Sequence, residues 1–211
     1  MKIKLFLFAI TATMLMGCEK TPQKQLEVSP DIIKISAIGG IAQITTNVDD
    51  AIFISEDEFY ATVDNQGLVS ANKAGQTNIR INSSCGNVSV PVEVIPVYYY
   101  YPDLDGLVGK GLSAITGVMG NGYTTSGTQI TYIKPNGYVD GMTFTVENGK
   151  CTLIVLAFGN ILKDAITTHL TERYASGVWE GKKVFMNHDK NVAILLAPYS
   201  SQYFSVSYFA I

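Results

Sequence analysis

A catalytic site in this chain would have to draw on few reactive groups: two histidines, His169 and His188, and three cysteines, Cys18, Cys85 and Cys151. Hydrolytic chemistry needs a nucleophile, a base and an acid that orients the base. Neither histidine stands in a G-x-S-x-G or H-E-x-x-H setting. His169 shares a helical stretch with Glu172 and Arg173 as a local polar cluster, and His188-Asp189 falls at a turn, so exposed or capping roles are expected of both. Asp103-Leu104-Asp105-Gly106 begins like a calcium loop but lacks further acidic ligands and the closing glutamate. Zinc would require Cys85, Cys151, His169 and His188 to converge without any short ligand spacing. No Gly-rich phosphate loop follows a strand. The expectation is therefore a protein without catalytic residues, metal or cofactor. The rival expectation is an enzyme using His169 or His188 in a constellation that only the fold assembles.

Four consecutive tyrosines, Tyr98, Tyr99, Tyr100 and Tyr101, are the candidate binding residues. Aromatic faces stack on sugar rings, and phenol hydroxyls bond sugar hydroxyls. If the run is a strand, however, its rings alternate, two into a domain junction and two toward solvent, and make no single platform.

Cys18 is the thiol with specific surroundings. Lys2 and Lys4 precede an apolar run from Leu5 to Met16, and Gly17 follows it, which is the layout of an export signal. As a helix the run would reach about 18 Å, short of the roughly 30 Å of bilayer hydrocarbon. Leu15-Met16-Gly17-Cys18 resembles the bacterial lipobox. That resemblance implies removal of residues 1–17, a diacylglyceryl group on the Cys18 sulphur, and a lipid-anchored protein of the cell envelope. Glu19, where aspartate would favour inner-membrane retention, points to the outer membrane. Residues 18–25, polar with one proline, suit a short tether.

Loss of Lys2 and Lys4 takes the formal charge from −3 to −5. A mildly acidic chain without a Lys/Arg cluster disfavours nucleic acid and anionic lipid headgroups as partners. A composition that is 47% hydrophobic, with 12 Tyr and 9 Phe, is enough for a folded exterior. Cys85 and Cys151 make an even pair in an oxidising compartment, so a bridge is permitted. Their wide separation, in different domains, makes two unpaired thiols the stronger expectation.

The elements that position these groups divide near Pro96. From Leu26 short runs alternate with period two and are broken by turns, predicting a β-sandwich over residues 26–96. Val88, Val90, Val92 and Val94 share one parity and face one side of a closing strand. The stretch Ala61 to Ile81 carries Val63, Asp64, Gly67, Val69, Ala74, Gly75, Ile79 and Ile81 in an order that resembles the group 2 bacterial immunoglobulin-like family. Phe53 stands where that pattern carries a core tryptophan. The resemblance implies an immunoglobulin-like spacer or adhesive module on a bacterial surface. Gly67 and Gly75 are expected at positive φ, and Val63, Ile79 and Ile81 between sheets.

Residues 97–211 read as an α+β domain with two helices packed on an antiparallel sheet. Leu104, Val108, Leu112, Ile115 and Met119 predict a helix over 103–120, weakened by its glycines. Strands follow over 129–133, 141–146 and 152–158, the last two joined at Asn148-Gly149. A second helix is predicted over 161–175 with Asn160 as N-cap, then strands over 183–187, 192–197 and 203–210. The order suggests a duplicated α-β3 unit and, by element order alone, resembles the β-lactamase-inhibitor-protein type of fold, which implies protein binding. The sequence thus predicts a mainly β, non-enzymatic envelope lipoprotein whose immunoglobulin-like domain spaces or presents a C-terminal domain that binds a protein or glycan. A purely structural spacer is the alternative.

Overall fold

The computed structural model describes residues 24–211; Cys18, the expected signal at 1–17 and most of the expected tether lie outside the described residues. Two hydrophobic cores follow one another along the chain, one drawn from Leu26 to Val94 and the other from Tyr101 to Tyr208.

The first core is closed by two facing sheets. The strands are β1 (Val28–Ser29), β2 (Ile33–Ser36), β3 (Ile41–Gln43), β4 (Thr45–Thr46), β5 (Ile52–Ser55), β6 (Ala61–Val63), β7 (Leu68–Ala71), β8 (Gly75–Ser83) and β9 (Gly86–Ile95). One sheet runs β2-β9-β8-β5 and the other β3-β7-β6, with β1 and β4 as a separate short pair. Period-two alternation turns Ile79 and Ile81 of β8 and Val90, Val92 and Val94 of β9 inward, where Ala61 and Val69 meet them. This is the expected immunoglobulin-like sandwich. Asp64 shapes its β6–β7 turn, since Oδ1 accepts the Gln66 and Leu68 N–H groups, each at 2.8 Å. Gly67 completes the turn at φ +81°, where a Cβ would lie 2.6 Å from the Ile44 carbonyl oxygen and against the Phe53 ring.

The second core lies under one face of an eight-stranded antiparallel sheet. Its first half comprises α1 (Leu112–Met119) and strands β10 (Thr124–Ser126), β11 (Gln129–Ile133), β12 (Gly141–Glu147) and β13 (Lys150–Gly159). The second comprises α2 (Lys163–Arg173), β14 (Ala175–Trp179), β15 (Lys182–Met186), β16 (Val192–Pro198) and β17 (Tyr203–Ala210). The order β10-β11-β12-β13-β17-β16-β15-β14 places the last strand of each half at the centre, so the halves are arranged symmetrically about the β13–β17 pair. The duplicated unit is therefore one helix and four strands, not three. The expected unit lacked β10, which is short and wholly exposed, and β14, whose first residue was assigned to the preceding helix.

Three further expectations are corrected. The helix over 103–120 is a 3-10 turn at Asp105–Leu107, a break, and then α1. The break occurs because Gly109 turns at φ +80° and its N–H bonds the Cys151 carbonyl at 2.7 Å, drawing the backbone toward β13. Asn160 does not cap α2. It opens a 3-10 turn, and its side-chain amide donates to the Ser201 carbonyl at 2.8 Å instead. Tyr98–Tyr101 is irregular backbone, not a strand. Among the described residues, no helix is long and apolar enough to cross a membrane.

Candidate functional site

A group of charged side chains lies where the two cores meet. Glu172, at 3% exposure, receives both the Val97 and Tyr98 backbone N–H groups on its carboxylate, each at 3.0 Å, while its own carbonyl accepts the Ala74 N–H at 2.6 Å. One residue of α2 thus holds the segment leaving β9 and the start of β8 together. Beside it, Arg173 Nε donates to Asp103 Oδ1 at 2.8 Å, and its Nη1 donates to the His169 carbonyl at 3.0 Å. Nη1 also stands 3.5 Å from Glu172 Oε2, so the buried guanidinium and carboxylate face each other with hydrogen bonds on both. On the outer rim, His188 Nε2 lies 2.8 Å from Asp57 Oδ2, and the imidazole stacks on Tyr60 and meets the edge of Phe59. A hollow of about 270 Å³ remains between Phe59, Tyr60, Asp103, Asp105, Arg173 and His188.

His169 is fully buried, contrary to the exposed role expected of it. The alternation of α2 carries it inward beside the Tyr101 ring, 4.4 Å between centroids. Its Nδ1–H donates to the Tyr98 carbonyl at 3.2 Å, which leaves Nε2 as a lone pair without a partner. Burial, aided by the nearby Arg173 cation, pushes its pKa down to about 3, so the ring is neutral. His188 does occupy the expected turn, but its nitrogens pair with Asp57 and Asp189. Neither imidazole bonds a hydroxyl or thiol, and among the described residues no group of His, Cys, Asp and Glu is arranged to hold a metal. Cys85 and Cys151 are unbridged, each in its own core; burial raises the Cys151 thiol to about 11, where it is inert.

The four tyrosines are dispersed. Tyr101 is buried with its hydroxyl 3.0 Å from that of Tyr208, so it cannot meet a surface ligand. Tyr99 is exposed beneath the Arg173 guanidinium, 6.0 Å from its ring centre. Tyr98 and Tyr100 stack on each other, and Tyr138 meets Tyr100 edge-on. The four rings do not form a single platform.

A larger surface lies on the sheet face opposite the second core. Register places Leu153, Phe209, Ala193 and Met186 in one row across the strands and Val155, Ser207, Leu195, Val184 and Gly177 in the next. The row positions on β11 and β12 are polar: Thr145 and Gln129 continue the first row, Thr143 and Thr131 the second. Among the described residues no helix covers this face; α1 and α2 pack on the opposite one. Near β14 it deepens into an apolar hollow of about 320 Å³ bordered by Gly177, Trp179, Val184, Met186, Ala193 and Phe209.

Residues 35–94 match the family model of the bacterial Ig-like domain (group 2). No curated protein matches the chain. Among solved structures it is similar to intimin in an intimin–Tir90 complex, with 19% identity over 45% of this chain and TM-score 0.28; the chain spans 57% of that one. An intimin mutant from EHEC O157:H7 aligns at 17% identity over 61% of this chain and 90% of that one, TM-score 0.29. The surface layer protein SbsC, domains 1-6, aligns at 14% identity over 85% of this chain and 24% of that one, TM-score 0.30.

The Ig-like domain contributes Asp57, Phe59, Tyr60 and Ala74 to the junction, and sequence reasoning named none of them as functional. Glu172 and Arg173 do form the local polar cluster expected with His169, but α2 has no apolar stripe to mark its packed side, so nothing local shows that the cluster is buried. The open sheet face was legible in principle, because β13 and β16 are apolar at nearly every position, as strands covered on both faces are.

Proposed function

We propose that this chain is a non-enzymatic cell-envelope lipoprotein, anchored through Cys18 in the outer membrane, whose Ig-like domain presents the C-terminal α+β domain to a binding partner. The carrying observation is the apolar face of the eight-stranded sheet that, among the described residues, no helix covers. The side chains of this face are half-buried by one another, with Trp179 exposed at its β14 border, and a sheet with both faces apolar and only one packed against helices is completed by association. The face favours a protein over a glycan. Its centre is Leu153, Val155, Leu195, Val184, Met186 and Phe209, with Ser207 the one polar position among them and Gln129, Thr131, Thr143 and Thr145 confined to the β11–β12 side. The lipobox resemblance at Leu15–Cys18 supports the anchor, and the element order reminiscent of the β-lactamase-inhibitor-protein type of fold agrees with protein binding.

The experiment has two arms. Metabolic labelling with a fatty-acid analogue is expected to mark the wild-type protein and not Cys18→Ser. The protein is then used to capture partners from envelope extract, alongside a Val155→Glu/Leu195→Glu variant that places charge on the open face. Loss of a protein partner in that variant, with its fold retained by circular dichroism, supports the reading; capture unaffected by the charges overturns it.

A further inference from the structure

Among the described residues, β14 is the outermost strand of the sheet and pairs only with β15, so its other edge presents backbone N–H and C=O groups without strand partners there. Edge strands are commonly protected by charge, proline or a bulge. This one reads Ala-Ser-Gly-Val-Trp and pairs with β15 in unbroken register, so it has none of these. Ser176, Val178 and Trp179 are exposed.

The apolar hollow of the open face lies directly against this edge. Gly177 forms its notch: a Cβ there would touch only Val184 Cγ2, at 3.8 Å, and the residue does not lie in the left-handed region. The backbone therefore does not require glycine at this position, and the missing side chain leaves room beside Trp179. Lys182 stands opposite Trp179 on the same face, and Lys183 follows it, above the Phe185 ring. With Glu180 at the hairpin tip, the two lysines leave a positive end on a strand pair that otherwise carries no charge, within a protein whose formal charge is −3.

We propose that the β14 edge and its hollow take up an extended segment of a partner protein as a ninth strand. The segment is apolar at alternate positions, which fill the notch at Gly177, and carries a carboxylate at its Trp179 end, toward the flexible Lys182 side chain one strand further in. Strand addition supplies affinity through the main chain, and side-chain pockets at every second residue supply selectivity. This assignment rests on the reading of the α+β domain as a protein-binding module and names the chemistry of its partner.

Trp179 is the chain's single tryptophan, so its fluorescence reports on this site alone. The full-length protein in phospholipid nanodiscs is titrated with a short peptide alternating Val and Thr with one terminal Glu. Two controls are the same peptide with Lys in place of Glu, and a version N-methylated at alternate residues. A saturable emission shift is expected with the Glu peptide, weaker by about tenfold or more with the Lys peptide, and absent with the N-methylated one. Gly177→Val, whose Cβ has room beside Val184, is expected to weaken binding by about tenfold or more with circular dichroism unchanged, and Lys182→Glu to reverse the peptide preference. No saturable shift, or equal binding by Gly177→Val, overturns the assignment. So does an emission change that follows protein concentration alone, which would make a second copy the occupant. Envelope capture by wild type and Gly177→Val alike would overturn this site while leaving the broader binding reading standing; peptide binding without any envelope partner would overturn the broader reading alone.

Discussion

The two carboxylate oxygens of Glu172 are divided between neighbouring amides, one bonding Val97 N and the other Tyr98 N, both at 3.0 Å. The chain crossing from the Ig-like domain to the α+β domain is thereby fixed to α2 by a residue from the far side of the crossing. Charge-assisted bonds of this kind are stronger than neutral ones, and here both acceptors are shielded from water. Glu172→Ala would leave two amides and the Arg173 guanidinium without their partner. The expected loss is about 3–5 kcal/mol, the range found for breaking buried pairs. Urea denaturation is expected to show it, with a single transition in the wild type becoming two as the parts uncouple. Glu172→Gln, which keeps one oxygen, should fall between.

The same junction contains a pair that looks alike and should matter far less. His188 and Asp57 approach to 2.8 Å, yet their side chains are 43% and 30% exposed. Solvent screens such pairs, and they contribute roughly 0–1 kcal/mol, to which the stacking on Tyr60 adds a comparable amount. His188→Ala is expected to lower stability by about 1 kcal/mol with one transition retained. A loss as large as that of Glu172→Ala would show that the rim, not the buried carboxylate, holds the parts together.

Protonation of His169 gives a third expectation. Its folded pKa, depressed to about 3, lies below the ordinary value of 6.5 in the unfolded chain. The unfolded state therefore binds the proton first as pH falls. Stability is fully present above pH 6.5 and is lost as pH drops through the window from 6.5 toward 3, by about 1.4 kcal/mol per pH unit once well below 6.5. Urea midpoints measured between pH 7 and 4 should show a steeper decline in the wild type than in His169→Gln, which does not titrate. Parallel curves would place the imidazole in contact with water.

Much of this arrangement can be read from the sequence wherever local chemistry dictates it. Period-two alternation in Val88 to Val94 and the Val63-Asp64 to Gly67 turn require only neighbours in the chain, and both appear as expected. The boundaries that move are set by distant partners. Helix periodicity ran through Leu104 and Val108, but the Gly109 amide is claimed by Cys151. Asn160 had the chemistry of a cap, but Ser201 took its side chain. His169 read as polar and exposed because Tyr98 and Tyr101, which enclose it, lie some seventy positions earlier. The junction was illegible for the same reason: Asp57 and His188 carry no local sign of each other.

A final expectation links the backbone of the Ig-like domain to the junction. Gly75 sits at φ +146°, and a Cβ there would collide with the Tyr60 ring, the ring that stacks on His188. Gly39 also has positive φ, at +64°, but a Cβ there would meet nothing within 4 Å. Gly39→Ala should therefore cost only the conformational penalty, about 1–2 kcal/mol. Gly75→Ala adds an overpacking term of about 1–3 kcal/mol, because Tyr60 must move toward His188 or force the two parts to separate. A double-mutant cycle isolates that term. In a Tyr60→Ala background the steric part vanishes, so Gly75→Ala should then cost about 1–3 kcal/mol less than it does beside Tyr60, retaining only its backbone penalty. If Gly75→Ala remains equally damaging without the Tyr60 ring, the strain resides in the backbone alone and does not reach the junction.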